Sequence, residues 1–205
     1  MPQGGLVSRA IASRRSIRRF ARRPVDPGLV RDLVALACTA PAQHHSRPWR
    51  FVNVSTRSAR EALADAMSEA WLADLQRDGA TVHEIDRLLT RSQAQIAEAP
   101  VLLLSCLDLS RAKRWPDKAR RAAERDMFVQ SLGAALQNVL LAAADCGLAG
   151  YLKGAPLFCG DAVRRALALP EKWQPAFLVL LGYPVEGHFP PPRPELPLDD
   201  VLAER

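Results

Sequence analysis

Two hydrophobic periods run along the chain. Leu29, Val30, Leu33, Val34, Leu36 and Ala37 recur at helical spacing. Asp26 and Pro27 precede them, an acid suited to capping and a proline suited to the first helical position. The pattern predicts an earlier helix over Leu6–Ser13 and two more over 58–77 and 83–97, broken at Asp78-Gly79. Residues 49–54, 101–107 and 176–181 read as strands, and the solidly apolar 101–107 belongs in the middle of a sheet. The longest helix covers 117–146; its stretch 127–144 is apolar nearly all round, which predicts a buried helix ended by Gly147. A short segment over 151–153 leads to Gly154, and another helix covers about 160–168. The proline-rich tail, 185–205, has room for a short helix at 198–203 and is expected to lie on another surface, such as a partner subunit. The fold class is α+β, one domain over 1–205 with a small sheet against a long central helix.

Composition narrows this picture. With 48% hydrophobic and 24% charged residues the chain can bury a core, which excludes disorder throughout. Apolar runs fall short of the roughly 18 residues that a membrane span needs. No charged, apolar and cleavage regions open the chain in the order of an export signal, so a cytoplasmic protein without membrane partners is expected. The net charge of +6 conceals an asymmetry. Residues 1–60 hold twelve arginines against two acids, Asp26 and Asp32, whereas residues 61–205 hold 16 basic and 20 acidic groups. Such clustering points to an anionic ligand, nucleic acid or a phosphorylated small molecule. Recognisable nucleic-acid motifs are missing, so no nucleic-acid partner is expected. Cys38, Cys106, Cys146 and Cys159 are widely spaced, which argues against structural zinc or a disulfide framework and for reduced, structural thiols. No metal site is expected.

Three segments carry candidate chemistry. Arg14-Arg15-Ser16-Ile17-Arg18-Arg19-Phe20 can hold a phosphate by charge-assisted hydrogen bonds, or be a solvated basic face. Ala40-Pro41-Ala42-Gln43-His44-His45-Ser46-Arg47-Pro48-Trp49 is a loop stiffened by prolines, either a carrier of binding groups or an ordinary solvated loop. In Gly150-Tyr151-Leu152-Lys153-Gly154-Ala155-Pro156 a glycine allows close approach to backbone amides, or marks a plain turn.

In this order, with Gly182-Tyr183-Pro184 and the proline-rich tail, the segments resemble the nitroreductase superfamily of flavin enzymes over nearly the whole chain. The histidine loop, Tyr151-Leu152-Lys153-Gly154-Ala155-Pro156-Leu157-Phe158 and Leu169-Pro170-Glu171-Lys172-Trp173 further resemble the C-terminal flavin domain of coenzyme F-420:L-glutamate ligase. The resemblance implies a small, mostly antiparallel sheet, a tail extended onto a dimer partner, and a homodimer with FMN at the interface. It implies FMN contacts by Arg14, Ser16 and Arg18, by Pro41, Ala42, Gln43 and His45 from the other subunit, by Leu152, Lys153 and Gly154, and by Arg193. Ala42 and His45 stand where the commoner family pattern has Ser and Asn.

On this basis His44, His45 and Lys153 are the candidate catalytic groups, and Arg47 and Arg50 the candidate steering groups for an anionic substrate. The resemblance implies an FMN-dependent oxidoreductase, in its most specific form reducing dehydro-F-420-0 to F-420-0. Two alternatives stand beside it: a generic NAD(P)H-dependent nitro or quinone reductase, and a flavin- or F-420-binding protein without turnover.

Overall fold

The computed structural model describes residues 5–187 and 190–205, so His188 and Phe189 of the tail lie outside the described residues. Ten elements follow one another: α1 (Leu6–Ser13), α2 (Pro27–Ala37), β1 (Trp49–Asn53), α3 (Arg57–Arg77), α4 (Val82–Glu98), β2 (Val101–Asp108), α5 (Lys118–Asp145), β3 (Ala149–Lys153), α6 (Gly160–Ala166) and β4 (Trp173–Gly182). The strands form one fully antiparallel sheet in the order β1-β2-β4-β3.

Local chemistry sets the helix ends. The Asp26 carboxylate accepts from the Gly28 amide at 3.0 Å and starts α2. Thr81 and Glu84 form a capping box at the start of α4, Thr81 Oγ1 accepting from the Glu84 amide at 3.3 Å and Glu84 from the Thr81 amide at 3.0 Å. Asp117 caps α5, and Gly147 at φ 73° follows its end.

All eight residues of β2 are buried because helices cover both faces of the sheet. Val101, Leu103 and Leu107 face α2 and α5, where they meet Leu33, Phe128 and Val139. Leu102, Leu104 and Cys106 join the cluster of Leu63, Ile96 and Val163 from α3, α4 and α6. A bulge at Ser105/Cys106 turns the Ser105 hydroxyl onto β4, where it donates to the Phe177 carbonyl at 3.0 Å. Arg60 joins α3 to its neighbours: its guanidinium donates to the carbonyls of Val54 at 2.9 Å and Ala97 at 3.2 Å. Not every arginine of the basic segment is therefore available to a ligand.

Four expectations need correction. Residues 151–153 belong to a full strand, β3, and β4 starts at Trp173, because its first residues pair with the end of β2. Helix α5 is buried on one side only, with Met127 and Val129 38% and 40% exposed, because the sheet and α2 cover a single face. It is the one helix among the described residues long and apolar enough to cross a membrane, and here it packs on the sheet. In the tail, Arg15 donates to the Pro191 carbonyl and Arg193 to the Arg14 carbonyl, and of the short helix expected at 198–203 only one turn, Leu198–Asp200, is helical, since Val201 already leaves helical geometry. Of the four cysteines Cys106 alone is buried and Cys146 is exposed.

Candidate active site

The exposed edge of β3 organises the site. The stretch from Arg14 to Phe20 runs beside it, bridged in parallel from Ser16 to Gly150, and the Ile17 amide donates to the Gly150 carbonyl at 3.3 Å. Further on, Phe20 bridges Pro184 and the Ala21 amide donates to the Tyr183 carbonyl at 2.8 Å. Gly150 is required where the strands crowd: a Cβ there would sit 2.4 Å from Leu181 Cδ2 and 2.9 Å from the Leu180 carbonyl oxygen.

Two cationic centres result. At the first, Arg14, Arg15 and Arg193 converge beside the C-terminal part of α5. Burial lowers the Arg14 pKa, and repulsion from Arg193 and Arg15 lowers it further. Its Nε is buried with no partner. Three like charges and an orphaned donor are what a bound anion would satisfy. At the second, a cleft of about 450 Å³ opens between β3 and α4, with Arg18, Arg91, Gln95 and Tyr151 in its walls and Glu98 as its acid. The Arg18 guanidinium stands 5.2 Å from the Tyr151 ring centroid, and Phe20 stacks on the same ring at 6.3 Å. Tyr151 Oη is buried without a hydrogen bond, and burial raises its pKa to about 12. Lys153 reaches under α4, where Nζ donates to Ser92 Oγ at 2.6 Å and Gln95 Oε1 at 3.0 Å. Burial and then Arg91 lower its pKa to about 8. Lys153 is thus not a freely solvated lysine. Leu152 points to the opposite side of the sheet, onto the α5 core.

The histidine loop lies elsewhere. It turns through Gln43–His45 with His44, His45 and Arg47 in left-handed backbone at φ 50°, 52° and 47°. This geometry exposes Pro41, His44, His45 and Arg47 and leaves Ala42 half-buried. The Gln43 amide docks on α5, 2.7 Å from Ser131 Oγ. Ser131 precedes Leu140, which borders the Arg14 cleft, by nine residues of helix, or roughly 14 Å. One chain therefore brings Arg14, Ser16, Arg18, Lys153, Gly154 and Arg193 along one edge and keeps Pro41, Ala42, Gln43, His44 and His45 apart from them. Arg50, expected to steer substrate, is instead tied to the buried Asp108 at 2.8 Å, and Nη1 donates to the carbonyls of Trp49 at 2.7 Å and Arg47 at 3.1 Å. Arg47 is exposed, and among the described residues its side chain pairs with none. Arg91, Gln95 and Ser92 are residues that the sequence did not single out; they sit in mid-α4 with no local motif, and only the packing of α4 beside β3 shows them.

Residues 11–183 match the family model described as the nitroreductase family. The chain belongs to the nitroreductase family. This is a family of FMN-dependent oxidoreductases. Among the relatives of this chain, a protein named NADH dehydrogenase from Thermus thermophilus is 30% identical, the match covering 96% of this chain and 94% of that one. In fold it is similar to a BluB-like flavoprotein from Clostridium difficile, with a TM-score of 0.79 at 21% identity and 98% and 99% of the two chains covered. It is also similar to a nitroreductase in complex with FMN from Desulfovibrio desulfuricans, with a TM-score of 0.73 at 24% identity and 99% and 98% covered.

Proposed function

We propose that this nitroreductase is a homodimeric, FMN-dependent oxidoreductase that passes electrons from NAD(P)H to nitro, quinone or similarly conjugated electrophiles. The observation that carries the reading is the pair of cationic centres on the β3 edge. An extended chain from Arg14 to Arg18 spans roughly 13 Å, of the order of a flavin mononucleotide from phosphate to ring. The donor set fits the group. Arg14 and Arg193, with the Ser16 hydroxyl, would hold the phosphate. Arg18 and Arg91, which line one cleft, would hold the ring system together with the backbone amides of Lys153 and Gly154. Bound FMN supplies the electron-transfer chemistry. A second copy brings Pro41, Ala42, Gln43 and His45, the part that lies elsewhere in a single chain. On that loop His44 and His45 hold the protons that accompany reduction, and Arg47 attracts an anionic substrate.

A narrower reading, reduction of dehydro-F-420-0 to F-420-0, is favoured by the likeness of the histidine loop to the F-420-related flavin domain and by the exposed Arg47 beside it. The relatives' names speak for the broader reading. Titration of FMN followed by the flavin absorption band tests the site first. Replacing Arg14 by Ala is expected to weaken FMN binding roughly tenfold to a hundredfold, the worth of a charged hydrogen bond. Unchanged affinity would remove Arg14 from the phosphate site. NADPH consumption with a nitroaromatic, set against turnover of dehydro-F-420-0, separates the two readings. Fast nitroaromatic turnover with none of the precursor would sink the narrower one.

A further inference from the structure

Behind the β3 edge lies a cavity of about 530 Å³, within the range of small-molecule sites. Met67 and Trp71 of α3, Ala155 and Phe158 give it apolar walls, Lys153 is its half-buried cation, and the exposed Arg77 stands at its margin, bonded to Asp74. Two neutral acceptors, Ser92 and Gln95, hold the ammonium, and among the described residues no carboxylate pairs with it. The acids in the wall do not meet this need: Asp74 is bonded to Arg77 at 2.7 Å and Asp78 is exposed. A half-desolvated cation without counter-charge is held at a cost, and an incoming anion offsets that cost. Phe158, at the rim, is 87% exposed, an aromatic ring ready to cover a flat ligand. We propose that this cavity takes a flat, apolar molecule bearing one acidic group, a carboxylate or sulfonate that pairs with Lys153, and that this is the substrate class of the enzyme. As a statement about substrate it rests on the reading that Lys153 and Gly154 border the flavin. Selection works by charge: an aromatic acid enters with its counter-ion in place, and an aromatic cation would meet Lys153.

Two probes test it, anilinonaphthalene sulfonate and its uncharged counterpart phenylnaphthylamine, bound to the full chain with and without saturating FMN and measured by equilibrium dialysis. Lys153→Met keeps length and apolar stem, and is expected to weaken the sulfonate about tenfold or more while leaving the neutral probe as tight or tighter. Phe158→Ala, at a position too exposed to be needed for folding, is expected to weaken both probes. The proposal is overturned if Lys153→Met treats the two probes alike, if Phe158→Ala changes neither, or if FMN expels the sulfonate, since the cavity would then belong to the cofactor. Charge-selective binding in a chain that fails to take up FMN would uphold the acidic-ligand cavity and sink the flavin reading instead.

Discussion

Lys153 and Asp108 show how single groups are held in opposite ways. Burial works against the Asp108 charge, but hydrogen bonds from Ser110 and then the nearby Arg50 outweigh it and keep the carboxyl below its ordinary pKa. The Arg50–Asp108 contact is a close charge pair and not an aligned hydrogen bond, for Asp108 Oδ2 has no hydrogen-bond partner. Lys153 has only neutral partners, and its pKa falls from 10.5 to about 8. The sign of the linkage follows: between those values the unfolded chain binds more protons than the folded one, so stability rises with pH. Below about 8 the lysine is charged in both states and the folded state bears the whole burial cost. The stability of the protein relative to Lys153→Met should therefore be flat below about pH 8 and increase from there to about 10.5. Urea denaturation across that range checks it; a difference that stays constant would mean that Lys153 is not desolvated.

At the scale of elements, β3 bears the most. Its pairing with β4 on one side and the Arg14–Phe20 stretch on the other aligns both cationic centres, and Gly150 is the tightest point. Gly150→Ala would push against the backbone of Leu180 as well as the flexible end of Leu181. A loss of about 1–3 kcal/mol is expected from such overpacking, together with weaker FMN binding because Ser16 loses its register. A chemical melt and an FMN titration read the two effects; a variant with native stability would show that the strands separate freely here. The helix ends at Asp26 and Gly147 are readable in the sequence because these residues act on backbone a few positions away, whereas the Thr81 cap of α4 is not among those the pattern predicts. The strand β3 is harder to read, since Ala149 to Lys153 has little apolar alternation and is ordered by pairing with residues about thirty positions later. The same holds for the site. Arg14, Ser16 and Arg18 stand in one short motif, but Arg91 acquires its place only when α4 packs against the sheet.

At the scale of the whole molecule, the apolar surface is unevenly distributed. Leu6, Val7 and Ile11 of α1, Met127 and Val129 of α5, and Leu198 and Val201 of the tail all face outward. Gly133, in the middle of α5, has open space where a side chain would begin. A glycine within a helix costs about 1 kcal/mol relative to alanine, so its presence on an uncovered face is explained if another chain approaches it closely. A second copy on this face would cover the apolar residues and supply the histidine loop to the partner's cationic edge. Gly133→Leu is then expected to leave the single chain folded, since nothing within it obstructs the side chain, and to lower dimerisation and FMN affinity together. Sedimentation velocity and FMN titration, each over a range of protein concentrations, provide the check. In the native protein, FMN uptake should rise with the dimer fraction if, as proposed, each half of the site is contributed by a different chain. A Gly133→Leu protein that remains dimeric and binds FMN normally would place the interface elsewhere, and the histidine loop would then have no route to the cofactor.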